Sequence, residues 1–128
     1  MPKVILTYGT FDLFHYGHLN LLRRASELGD SLVVGISSDT FNAIKGKKAH
    51  HSFQERAENV ASLRFVDKVF VEHTWDQKHG DVIKHQAHAL VMGDDWTGEF
   101  DDLPCKVIYL PRTPIISSTA IRKIHEGN

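Results

Sequence analysis

Short runs of apolar and β-branched residues recur along the chain at Val4 to Tyr8, Leu32 to Ile36, Lys68 to Val71, Ala89 to Met92 and Lys106 to Leu110. Polar or Gly-containing residues close each run, so the pattern predicts five strands. Between the first two, Leu19, Leu22, Ala25 and Leu28 stand three apart, which marks one face of an amphipathic helix over His18 to Leu28, with Gly29 as its C-cap. Ser52 and Glu55 have capping-box spacing and start a second helix that runs to about Leu63, with Arg56 on its polar face. Weaker helical periods cover Gln77 to His85 and a segment that begins near Ser117 and includes Ile121 and Ile124. The polar, basic stretch from Lys45 to Ser52 reads as a mobile loop.

Strands alternating with helices within 128 residues predict a single α/β domain with a doubly wound, five-stranded parallel sheet. Ligands in such folds sit at the carboxyl ends of the strands. Hydrophobic residues at 41% and charged residues at 24% exclude disordered and fibrous classes. Lys and Arg total 15 against 16 Asp and Glu, so no global field draws the protein to nucleic acid or anionic lipid, and any phosphate site is local. The single cysteine, Cys105, has no internal partner and reads as a buried thiol in a reducing compartment. The apolar stretch at the N-terminus is too short for a signal peptide, and no run approaches the roughly 18 residues that span a bilayer, so a cytoplasmic protein is expected.

The segment GTFDLFHYGH, residues 9 to 18, follows the first strand and opens the first helix. Backbone N–H groups and the positive helix end there form a ready anion site. Gly9 allows a close backbone approach, Asp12 can orient a donor, and Gly17 lets the chain turn so that His15 and His18 point to one place. Two imidazoles at such a site can neutralise oxygens of a phosphorus centre under attack. The bland alternative gives both histidines structural bonds only; a metal pair would need a third ligand such as His50, His51 or Asp94, and no metal-ligand spacing supports one. Lys45 and Lys47 are point charges on a Gly-containing loop that can close over a triphosphate. Asp94 and Asp95 leave a strand end, where a carboxylate can accept from a base's amino group. Arg56 and Arg64, eight apart, fall on nearly the same helix face. Trp75 and Trp96 are candidates for a pocket wall or for plain core. Lys78 can reach an anionic acceptor or lie solvated. In RTPIISS, Arg112 and Thr113 supply donors, while Ser117 and Ser118 cap a helix and complete a second phosphate cradle. The other histidines share no spacing and read as surface residues.

The loop at 9 to 18 resembles the HxGH signature of the cytidylyltransferase family within the wider nucleotidyltransferase superfamily. KGKKAHHSFQER at 45 to 56, RFVDKVF at 64 to 70, VMGDDW at 91 to 96 and RTPIISSTAIR at 112 to 122 resemble it too. Likeness therefore extends over nearly the whole chain and is strongest to members that take glycerol 3-phosphate. It implies a Rossmann-like fold and transfer of CMP from CTP to glycerol 3-phosphate, giving CDP-glycerol and pyrophosphate. Mg²⁺ bound with the CTP phosphates, a homodimer, no nucleic-acid or membrane partner, and a product that feeds teichoic acid or another surface polymer are implied with it. By the same resemblance His15, His18, Lys45 and Arg112 are catalytic. Gly9, Thr10, Phe11, Asp12, Lys47, Arg64, Asp95, Trp96, Thr113, Ser117 and Ser118 join them in holding the nucleotide, and Arg56, Trp75 and Lys78 hold the acceptor. Ser118 stands where relatives commonly have Thr, which keeps the hydroxyl. Phe14 and Tyr16 replace the Leu and Trp often found there, which bears on substrate choice more than on catalysis. Two alternatives stay open: a different phosphorylated alcohol or nucleotide as substrate, and a nucleotide-binding sensor without turnover.

Overall fold

β1 (Val4–Gly9) and β2 (Ser31–Ser37) are near-continuous apolar runs, with four successive residues of β1 and six of β2 buried. Burial on both faces is what a parallel sheet covered by helices demands. In the computed structural model, which describes residues 2–112, these strands join β3 (Lys68–Glu72), β4 (Ala87–Gly93) and β5 (Lys106–Leu110). They form one five-stranded sheet of order β3-β2-β1-β4-β5, parallel at every pairing. The helix expected around Ile121 and Ile124 lies outside the described residues, as do Thr113, Ser117 and Ser118.

Strand alternation sends successive side chains to opposite faces, which gives the sheet two cores. Ile5 packs in one with Leu22 and Ala25 of α1 (Tyr16–Ser26) and Val60 of α3 (Phe53–Ala61). Leu6 and Tyr8 pack in the other with Val82 of α4 (Gln77–Lys84). Each of the fully buried aliphatic side chains among these contributes roughly 1.5–3 kcal/mol of transfer free energy. Among the described residues, no helix is long and apolar enough to cross a membrane.

The helix limits differ from the pattern-based expectation for local reasons. α1 starts at Tyr16 because His15 is its N-cap, and it ends at Ser26. Leu28 therefore sits in the turn beyond, 41% exposed, and not on the apolar face. Gly29 is no left-handed C-cap: the described glycines with positive φ are Gly46 and Gly98. Gly29 is needed for close approach, since a Cβ there would lie 2.6 Å from the Lys3 carbonyl oxygen and from Ile5 Cγ1. Ser52 and Glu55 do form the reciprocal cap of α3. A short helix, α2 (Asp39–Ile44), capped by Ser38, was not visible in the hydrophobic pattern; neither was a 3-10 turn at Asp94–Trp96.

From β1 the chain works outward to β2 and β3, then crosses by α4 to β4 on the other side of β1. Strand order thus reverses between β1 and β4. A crevice opens at that reversal, beyond the carboxyl ends of the strands, and ligands bind there in open α/β sheets.

Candidate active site

The crevice is a cavity of about 610 Å³, ample for a nucleotide. Its walls come from strand ends: Gly9 at the end of β1 and Thr10 after it, Glu72 at the end of β3, Met92 and Gly93 of β4, and Leu110 of β5.

The loop after β1 is held in a conformation side chains rarely adopt. Phe11 and Leu13 have φ of 56° and 47°. Left-handed backbone at such residues costs on the order of 1–3 kcal/mol each, so the surroundings must enforce it. Phe11 is 4% exposed and lies over Gly9, where a Cβ would come within 2.8 Å of its ring. Asp12 braces the other side, accepting from the backbone N–H of His50 at 2.8 Å and of His51 at 3.0 Å. Burial acts to raise the Asp12 carboxyl, but these N–H groups and the His50 ring outweigh it and hold it below the usual range. The stretch from Lys45 to Ser52, expected as a mobile loop, is tied to the HxGH loop through His50 and His51.

The histidines meet because α1 places them three residues apart at its first turn, and Gly17 is already helical. His15 Nδ1 accepts from the Gly17 N–H at 3.0 Å, and His18 Nδ1 accepts from the His15 N–H at 3.3 Å. The rings stack with centroids 3.9 Å apart. With each Nδ1 an acceptor, each neutral ring carries its proton on Nε2. Burial, and then the neighbouring His15, pushes His18 down to about 4 against a weak opposing pull from Asp12. Burial, and then Arg112, lowers His15. Near neutral pH the pair presents two N–H donors, and their caps on the helix fix the tautomer.

The same cavity is lined by Lys45, Lys47 and Lys78, and by the exposed Arg112. Lys45 Nζ donates to Ser37 Oγ at 2.8 Å and lies 4.7 Å from the Phe41 ring centre. Burial first, then Lys47, Lys78 and Arg56, lower its pKa to about 8, with Glu72 opposing. Lys78 is 3% exposed rather than solvated, and its ammonium is paired with Glu72. Tyr8, Trp75 and Phe100 box it in, with ring centres 4.7, 5.1 and 5.2 Å away. Trp75 and Trp96, 5.9 Å apart, form one wall, so Trp75 belongs to the cavity and not to the core. Asp95 lines the rim on the 3-10 turn, close over Gly93, where a Cβ would sit 2.7 Å from its Oδ1. Asp94 is exposed and outside the lining, and its carbonyl caps the turn through Thr97.

The structure thus brings together Gly9, Thr10, Phe11, Asp12, His15, His18, Lys45, Lys47, Trp75, Lys78, Asp95, Trp96 and Arg112 around one space. It does not bring Arg56 and Arg64 there. α3 ends at Ala61, so Arg64 sits exposed in the following turn, off the helix face it was expected to share. Arg56 is fully buried, not on a polar face. Its Nη1 donates to the carbonyls of Thr10 at 2.8 Å and Ser37 at 2.9 Å, its Nε to that of His51 at 3.1 Å, and its Nη2 to Asp39 at 2.8 Å. With these donors engaged, Arg56 ties three wall segments together from behind and is not a substrate contact. Conversely, Tyr8, Arg24, Glu72 and Phe100 line the cavity without having been marked in the sequence. The position of Glu72 at a strand's carboxyl end was the available signal.

Metal ligation by the histidines gains no third partner from the named candidates: the His50 and His51 rings face Asp12 and Glu55 at 3.3 and 3.2 Å. Of the cavity carboxylates, Asp12 and Glu72 are already paired, with backbone N–H groups and with Lys78. Such a donor set suits a divalent ion that arrives on a triphosphate, not one caged by protein side chains.

A parallel sheet with an HxGH turn after β1 and lysines facing it defines a nucleotidyl-transferring site. The chain belongs to the cytidylyltransferase-like family, whose sequence pattern matches residues 6–124. Within that family it is 53% identical over 123 residues to glycerol-3-phosphate cytidylyltransferase of Bacillus subtilis, covering 94% of this chain and 95% of that protein. It is 51% identical over 123 residues to the enzyme of the same name from Staphylococcus aureus, covering 94% and 93%. A lipopolysaccharide core biosynthesis protein from Thermoplasma volcanium has the same fold, with a TM-score of 0.72 at 22% identity over 88% of this chain and 98% of that one.

Proposed function

We propose that this protein transfers CMP from CTP to glycerol 3-phosphate, forming CDP-glycerol and releasing pyrophosphate. The observation that carries the proposal is the capped His15 and His18 pair at the start of α1, each ring accepting at Nδ1 and so left with Nε2–H to donate, lining one cavity with Lys45 and Lys47. The 53% identity to the Bacillus subtilis enzyme supports the choice of substrates.

A phosphate oxygen of glycerol 3-phosphate attacks the α-phosphorus of CTP. A new P–O bond forms, the bond from the α-phosphorus to the bridging oxygen of the β-phosphate breaks, and pyrophosphate leaves. No proton needs to be removed from a dianionic nucleophile, so catalysis consists of alignment and charge neutralisation. His15 and His18 donate to the α-phosphate oxygens, where charge builds in the transition state, and their fixed tautomer means no reorganisation as it does. The positive N-terminal end of the α1 dipole acts in the same direction. Lys47 and Arg112 neutralise the outer phosphates, with Thr113, Ser117 and Ser118 assigned to the same cradle by the motif they share, and Lys45, tied to Ser37, faces the incoming acceptor phosphate. Gly9, Thr10, Phe11 and Asp12 shape the turn, Asp95 accepts from the amino group of cytosine, and Trp96 walls the base. Lys78 and Trp75 lie on the acceptor side. CTP would bring Mg²⁺ on its own phosphates, beside Lys47 and Arg112, and the ion would supply charge neutralisation for the leaving pyrophosphate. We further propose a homodimer, a cytoplasmic location in keeping with the lone Cys105, and a product used for teichoic acid or a related surface polymer.

The test is pyrophosphate release with Mg²⁺ and each of the four nucleoside triphosphates, with and without glycerol 3-phosphate. Release confined to CTP plus glycerol 3-phosphate is expected. Release with another nucleotide or only with another acceptor would reassign the substrates, and binding of CTP without release under any condition would leave a sensor.

A further inference from the structure

Along the cavity wall four polar side chains form a continuous relay, three of them lining the cavity and Ser37 behind them. Glu72 is 2% exposed at the end of β3. One carboxylate oxygen pairs with the Lys78 ammonium, and the other accepts from the Ser37 hydroxyl at 3.3 Å. The same Ser37 oxygen accepts from Lys45 Nζ at 2.8 Å. Glu72 is thus in contact with one cavity ammonium and a single hydroxyl away from the other.

The two lysines need such a partner. Lys78 is the second residue of α4, where the helix field opposes a cation, and its site is nearly closed to water. The ring faces around it attract the charge but fix no direction; a carboxylate hydrogen bond does. Lys45 has cations on several sides: Lys47 on its own loop, Lys78 from α4 and Arg56 from α3. Of the charged groups acting on it among the described residues, only Glu72, from β3, favours the charged form.

From this geometry we infer that Glu72 is a positioning residue for the acceptor phosphate, holding Lys78 directly and Lys45 through Ser37 as one fixed, protonated pair that receives the dianion. Ser37 is the coupling element. The inference rests on glycerol 3-phosphate being the acceptor, as proposed above.

Initial rates of pyrophosphate release, with each substrate varied, across pH 6.5 to 9.5, test it on the wild type, Glu72→Gln, Glu72→Asp and Ser37→Ala. The wild type serves as the control on the acceptor. Without release that depends on glycerol 3-phosphate, the acceptor assignment falls, and this role of Glu72 falls with it. Given that release, Glu72→Gln should raise KM for glycerol 3-phosphate by ~10-fold or more and leave KM for CTP within about twofold. It should also move the basic limb of kcat/KM about one unit toward lower pH, because Lys45 then loses its proton more readily. Glu72→Asp keeps the charge, so its limb should stay at the wild-type position. Ser37→Ala keeps every charge but breaks the relay, and should raise the acceptor KM with the limb unmoved. A folded Glu72→Gln with wild-type limb and acceptor KM would overturn the inference. Should Glu72→Gln not fold, a wild-type acceptor KM in both Glu72→Asp and Ser37→Ala would overturn it equally.

Discussion

Arg56→Met separates a structural arginine from a substrate-binding one. Methionine fills much of the same volume but leaves the carbonyls of Thr10, Ser37 and His51 without the donors that now reach them at 2.8 to 3.1 Å. Each buried acceptor left unsatisfied costs about 1–3 kcal/mol, less where water can follow the loop outward. The Asp39 pairing adds little, since that carboxylate is 60% exposed. A loss of about 3–5 kcal/mol results, in the range seen when a buried charged network is broken. Set against a total stability of roughly 5–15 kcal/mol, it should lower Tm by about 10–20 °C. Thermal melts followed by circular dichroism, with urea denaturation for the free energy, read this directly. Arg56→Lys, which keeps charge but can reach fewer of the three carbonyls, should recover less than half. A variant melting within about 3 °C of the wild type, with a selectively raised acceptor KM, would refute the structural role and return Arg56 to the substrate site.

Two further outcomes follow from the same geometry. His18 has a folded pKa of about 4 against the ordinary 6.5, so the unfolded chain takes up a proton that the folded one refuses between those values. Its contribution to stability is full above pH 6.5 and gone near pH 4; from pH 7 to 4.5 the wild type should lose ~1–3 kcal/mol more than His18→Asn in urea titrations, and parallel losses would contradict the burial of a neutral ring. Gly35→Ala would place a Cβ 2.5 Å from Tyr8 Cδ2 and 2.8 Å from Phe70 Cζ, and the overpacking should cost about 1–3 kcal/mol with a matching fall in Tm.

The inner strands β1, β2 and β4 were legible because their apolar runs are buried, a pattern that needs no tertiary knowledge to find; the edge strand Lys106–Leu110 is only partly buried, yet its β-branched run has the limits its sequence suggests. Helix ends were less so. His15 and His18 cap α1 in the manner of Ser and Glu, a use of imidazole that propensity does not anticipate, and so the first turn lay hidden. α2 has six residues, too few to show a period. At the site, residues after strands were readable from their place in the chain. Arg56 was not: an arginine in a polar stretch gives no sign that three carbonyls from distant segments converge on it. Glu72 escaped for the same reason, because its partners Ser37 and Lys78 come together only when β2, β3 and α4 assemble.

The central claim is that two neutral histidines, their Nε2–H groups aimed by the first turn of α1, stabilise charge at the α-phosphate. Single-turnover CMP transfer by His18→Ala, measured alongside the Kd for CTP, tests it most directly. The account predicts a transfer rate at least ~100-fold below wild type with CTP affinity within about tenfold, the signature of a preorganised donor that acts mainly in the transition state. A folded variant that transfers CMP at near-wild-type rate would contradict it.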